Sequence, residues 1–226
     1  MIPLNFHLFL QNLSVMKFLS SILIIFIFNC HCSFARSIEI KNEQSIDSID
    51  LKVKKLKHLY LLSTASSVHQ SDVYKQEFFD EFPNTFKELS VLYGYNSKMH
   101  QPAPLYSEVE KHILNLFNNI TCVNDTVYYK KIVSISLGGH WDADAVNAFQ
   151  AGLRKRVVAN PELIEYILKN KSDDEARSFW YFYFDGVHPK NQLPESLQRI
   201  KLIDYRGYKL MIEAQIKVLN HSKEMQ

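Results

Sequence analysis

The chain has 226 residues, 22% of them charged and 46% hydrophobic, which is the composition of a folded globular protein and excludes a largely disordered one. A formal net charge of +2 gives no global electrostatic case for nucleic acid. Only 6 Gly and 7 Pro are too few for a sandwich or barrel built on many tight turns, so the composition points to helices.

Residues 1–35 contain no Asp or Glu, and Met16-Lys17 precedes an apolar or small run from Phe18 to Phe28. Ser33-Phe34-Ala35 then supplies a small-x-small cleavage site before Arg36. This three-part layout predicts a signal peptide over 1–35, with Met16 as a possible true start, and a periplasmic or extracellular address after cleavage near Ala35. The apolar core is shorter than the roughly 20 residues a spanning helix needs, so membrane association is expected only if this segment is retained. Cleavage removes Cys30 and Cys32 and leaves Cys122, so the mature chain has no intramolecular disulfide and depends on its core. Thr121, Val123 and Asn124 give Cys122 no activating base. Asn119, Asn124, Asn170 and Asn220 match the N-glycosylation pattern, which carries meaning only in a host that uses it.

Residues 36–49 read as a flexible leader, and 50–222 as one all-α globular domain of about eight or nine short-to-medium helices. The first helix, from Asp50 to Ser63, places Leu56, Leu59 and Leu62 on one face, with Lys54, Lys55 and Lys57 towards solvent. Ser71–Phe82 carries Phe78, Phe79 and Phe82 as a stripe and stops at Pro83; Asn84 is the expected cap of a second short helix ending at Gly94. Tyr95–Tyr106, with Pro102 and Pro104, reads as a loop. Ser107 and Glu110 predict a capping box for a helix lined by Val109, Ile113, Leu116, Phe117 and Ile120. Asp125–Leu137 suits a helix or a strand, and Gly138-Gly139 breaks it. Asp142 or Asp144 caps a long helix with Val146, Phe149, Leu153 and Val157 on one side and Arg154, Lys155 and Arg156 near its end. Asn160-Pro161 opens another helix, through Leu168.

The centre of the fold is expected at 173–185. Ser172 and Glu175 form a capping box, Asp173 and Asp174 suit the first turn, and Gly186 with Pro189 closes the segment. Phe179 to Phe184 are six consecutive aromatics covering every angle of the axis, so this helix is predicted to be buried nearly all round. A buried strand is the competing assignment. Glu195–Ile203 and Tyr205–Asn220 complete the helices, the last with Tyr208, Met211, Ile212 and Leu219 on one side.

No motif fixes a chemistry. His140, Asp142 and Asp144 could join Asp185 and His188 in a two-histidine, multi-carboxylate site holding a transition metal that activates water. The same aspartates also suit helix capping, His140 and Trp141 suit a helix-entry loop, and there is no HExxH spacing. Asp185 opposes the helix dipole and so needs a reason, either an Asx turn over Gly186 or a partner such as His188 or an arginine. Nucleophile elbows and phosphate loops are absent, and the 154–156 run is too short for nucleic acid. The expectation is an exported, non-enzymatic module that binds another protein, as an inhibitor, immunity-type partner or accessory factor, without a cofactor. The competing function is a metal-assisted hydrolase using the His/Asp cluster, with His140, Asp185 and His188 in its catalytic centre.

Overall fold

The computed structural model describes residues 48–65 and 68–224, so the expected signal peptide and most of the expected leader lie outside the described residues. The chain divides into Met1–Leu51 and Lys52–Gln226. Of the first unit only 48–51 are described, and they are helical. The second unit is all-α, as the composition and periodicities predict, with one two-residue ladder.

Residues 52–65 (α1) bury Leu56 and Leu59 and leave Lys54, Lys55 and Lys57 in water, which is the amphipathic division their spacing dictates. The next helix, α2 (Val68–Glu81), buries Phe78 and Phe79, with Phe82 just beyond its end. Its last carbonyls are orphans of helix geometry, and the buried ammonium of Lys131 donates to Phe79 O and, at 3.1 Å, to Asp80 O. At α3 (Phe86–Tyr93) the cap is Thr85 rather than Asn84. Thr85 accepts from Glu88 N–H at 3.1 Å, and the Glu88 carboxylate accepts from Asn84 N–H at 3.1 Å, so the cap sits one residue later than expected.

The predicted loop contains a small antiparallel ladder, β1 (Tyr95–Asn96) with β2 (Gln101–Pro102), in which Tyr95 pairs with Pro102 and Asn96 with Gln101. The expected Ser107 capping box does not form. Tyr106–Glu108 is a 3₁₀ turn leading into α4 (Val109–Leu114), and 115–119 widens into a π turn tied by Asn119 Nδ2 to Asn115 Oδ1 at 3.0 Å. The π turn turns Asn115 towards Ser63 Oγ, while Ile113, Leu116, Phe117 and Ile120 are buried as the pattern requires.

The ambiguous segment is α5 (Asp125–Ser136). Tyr128, Tyr129, Ile132, Val133, Ile135 and Ser136 bury together at helical spacing, and Asn124 accepts from Thr126 N–H at 2.9 Å to start the helix. Gly138 stops the chain at φ +70°, a left-handed conformation that costs a glycine little. In α6 (Ala145–Ala159), Asp144 occupies the cap position at φ +56° without capping; its carboxylate accepts from the Tyr106 hydroxyl instead. Asp142 is spent locally on Ala143 N–H at 2.8 Å. Both capping expectations for α6 are therefore corrected, because Tyr106 competes for one carboxylate and an adjacent N–H for the other. By contrast, α7 (Pro161–Leu168) is capped by Asn160 as predicted.

The aromatic segment is α8 (Asp173–Phe184), with the complete Ser172/Glu175 capping box. Phe179, Trp180, Phe182, Tyr183 and Phe184 are buried, and Tyr181 alone of the six looks outward. Phe182 lies edge-on to Phe86 at 5.6 Å and near Phe149 at 6.3 Å, which joins α3, α6 and α8 in one core. The expected helix at 195–203 is two turns, α9 (Glu195–Gln198) and α10 (Ile200–Ile203), separated at Arg199. The last helix, α11 (Tyr205–Glu224), runs past Asn220 and buries Leu210, Met211, Ala214 and Val218. Tyr208, Ile212 and Leu219 sit at the margin of that stripe, because the small residues Gly207 and Ala214 mark where α11 approaches its neighbours most closely. A Cβ at position 207 would fall 2.1 Å from Glu165 Oε1. Among the described residues no helix is long and apolar enough to cross a membrane.

Candidate functional site

The site grows out of how the aromatic helix ends. The last carbonyls of a helix lack intrahelical donors, and here α6 supplies them. Gln150 Nε2 donates to Phe182 O at 2.6 Å and to Asp185 O at 3.2 Å. Arg154 Nε donates to Tyr183 O at 3.0 Å, and its terminal nitrogen to Asp185 O at 2.7 Å. A guanidinium at a helix C-terminus complements the dipole. Gln150, Arg154 and Val158 recur every four residues, so one stripe of α6 faces the exit of α8.

The Asp185 carboxylate is spent in the same place. One oxygen accepts from Gly186 N–H at 3.0 Å and the other from Trp141 N–H at 2.6 Å. The local Asx-type contact is therefore present, and the second oxygen pins the 138–144 segment to the exit. Gly186 has room for a side chain and a negative φ, so the turn does not depend on glycine there.

These contacts frame a cleft of about 530 Å³ between α6 and the 185–194 loop, a size typical of ligand sites. Trp141, Tyr183 and Phe184 give it apolar walls, extended by Val158, Val187 and Pro189. Arg154, Lys155, His188 and Lys190 line it, and no carboxylate does. Among the described residues no Asp or Glu lies within ion-pair distance of Arg154, Lys155 or Lys190. Burial pushes the Tyr183 hydroxyl up to about 12, against the pull of Arg154, so it enters the site as a neutral phenol. A second concavity of about 480 Å³ shares Pro189, Lys190 and Gln192 and adds Leu219 and Lys223. Gln215 Nε2 donates to Lys190 O at 3.0 Å and holds the loop against α11.

The residues singled out from the sequence go to different places. His140 is exposed with its ring 5.0 Å from Phe86. Asp142 and Asp144 line a separate hollow with Tyr95 and Tyr106. Asp185 holds Trp141, and His188 lines the cleft. Among the described residues no three His, Cys, Asp or Glu side chains gather as a metal-ligand group. Cys122 is exposed and free, and partial burial with the charge of Asp72 pushes its thiol up, away from a reactive thiolate. The sequence reading missed Gln150, Arg154 and Lys155 as site builders. The available signal was Gln150, a polar residue inside the apolar stripe of α6.

No family model, curated protein or solved structure matches this chain.

Proposed function

We propose that this chain is an exported, non-enzymatic protein-binding module and that its binding face is the cleft between α6 and the loop leaving α8. The observation that supports this most is an apolar cleft whose Arg154, Lys155 and Lys190 have, among the described residues, no carboxylate within ion-pair distance. Lysines without ion-pair partners beside the half-buried Trp141 and the exposed Val158 and Val187 suit recognition of another macromolecule better than internal stability. Export rests on the 1–35 segment. The hydrolase alternative draws no support from the placement of His140, Asp142, Asp144, Asp185 and His188, which answer to separate contacts. Affinity capture from the envelope fraction tests the proposal. A partner should be retained by the wild type and by a Lys98→Glu/Lys130→Glu control, and lost with Lys155→Glu/Lys190→Glu. Equal recovery with both double variants would place the binding face elsewhere.

A further inference from the structure

We propose that the occupant of this cleft is an extended acidic peptide segment carrying an apolar anchor residue, an inference that rests on the binding face assigned above. Shape is the first reason. The two concavities share Pro189, Lys190 and Gln192, so they adjoin at the loop, one reaching to Trp141 and Val158 and the other to Leu219 and Lys223. Their combined room stands at the upper end of what compact ligands fill, and an adjoining pair of this form suits an extended chain.

Charge is the second reason. Lys155, Lys190 and Lys223 are spread over the two concavities with no carboxylate among their lining residues. Asp185 adjoins the cleft through Gly186, and both of its oxygens already face N–H donors. Arg154 is held by Tyr183 O and Asp185 O, so it adds positive potential while its fork stays committed. The complementary partner carries several separated negative charges, which acidic side chains along an extended segment provide.

The loop itself is the third reason. Among the described residues the main-chain N–H groups of Val187, His188, Asn191 and Gln192 have no hydrogen-bond acceptor. An extended peptide brings a carbonyl at every residue, and unpaired loop donors are how such backbones are held in known recognition modes. Phe184 and Tyr183 lie in the floor, where a single apolar side chain can reach them. A flat membrane surface does not reach Tyr183 and Phe184, which are recessed at 5% and 8% exposure. Nucleic acid would need a longer basic track than the net charge of +2 supplies.

Selection of a randomised peptide library on the immobilised full chain tests this. Recovered sequences should be enriched in Asp and Glu around one aromatic or aliphatic residue. The representative peptide should bind at least tenfold more weakly to Lys155→Glu/Lys190→Glu, to its own Gln/Asn isostere, and at high salt, with Lys98→Glu/Lys130→Glu unchanged. No enrichment, enrichment without acidic bias, or equal binding to the charge-reversed variant overturns the inference. So does binding of phosphatidylglycerol vesicles that the acidic peptide fails to compete. If a partner is still captured through the cleft while the library shows no acidic bias, the binding face stands and the peptide chemistry falls.

Discussion

The two ends of α8 are built on opposite principles. At its start every charge is answered within the chain. Ser172 and Glu175 cap each other, Lys171 pairs with Glu175 at 3.0 Å, and Arg177 reaches Asp174 at 2.9 Å and Glu213 at 3.0 Å. Arg206 joins Asp173 and also donates to Lys171 O. At its exit, carbonyls are answered by Gln150 and Arg154, but Lys155 and Lys190 are left without carboxylates beside an open cleft. The closed end spends its side chains on the fold. The open end keeps some in reserve, and that reserve is the reason to place binding there.

The largest expected effect falls on the shaft that both ends share. Phe182→Ala removes contacts with Phe86 and Phe149 and should cost about 3–5 kcal/mol in urea unfolding, disturbing both ends at once. A loss below about 1 kcal/mol would mean that the ends are not joined through this core.

The next effect concerns a buried acid of α7. Glu165 is buried with no cation or N–H donor among the described residues on either oxygen, and burial, with Asp204 beside it, pushes its carboxyl up to about 7. A raised carboxyl binds protons more readily folded than unfolded, so its contribution is lost as pH rises from about 4.5 to 7. His112 does the reverse. It is fully buried against Tyr60, Phe78 and Tyr93, and burial pushes it down to about 4, so its contribution is lost as pH falls from about 6.5 to 4. Each term is on the order of 3 kcal/mol, and over pH 4.5–6.5 they oppose. Wild-type stability should therefore be nearly flat there, and Glu165→Gln should unmask a rise with pH. An unchanged profile in Glu165→Gln would contradict the assignment.

Arg154→Met comes next and tests the open end as structure. It strips donors from Tyr183 O and Asp185 O and should cost about 1–3 kcal/mol, with partner binding weakened as the loop loosens. Ser172→Ala at the closed end should cost about 1 kcal/mol and leave binding untouched. Arg177→Met is the smallest: its ion pairs are exposed and screened by solvent, and the loss should vanish in high salt. Binding defects from Ser172→Ala or Arg177→Met would erase the distinction between the ends.

The closed end was legible in the sequence because capping is local. Ser172, Glu175 and the following acids lie within one turn of each other, as do Asn160 and Pro161, and local pairs need no knowledge of the fold. The all-helical build and the buried aromatic helix were legible for a similar reason, since six successive rings leave no polar face. Caps failed where a distant residue competed, as when Tyr106 took the Asp144 carboxylate across 38 positions. The open end was half legible. The odd exit at Asp185–Pro189 marked the place, but its partners Trp141, Gln150 and Arg154 are 31 to 44 residues away along the chain, and only the packing of α6 on α8 brings them together. The 154–156 run looked like a helix end in water. Arg154 is in fact the clamp of the neighbouring helix, and Arg156 reaches Phe117 O and the Tyr128 ring.

The most direct test of the open end as the binding end is a photo-cross-linking residue placed at each end of α8 in the full chain. Val158 and Val187 sample the cleft, and Asp174 and Lys209 sample the closed end. The account predicts one partner band from positions 158 and 187, suppressed by Lys155→Glu/Lys190→Glu, and none from 174 and 209. A partner cross-linked from 174 and 209 while the cleft positions stay silent would contradict it.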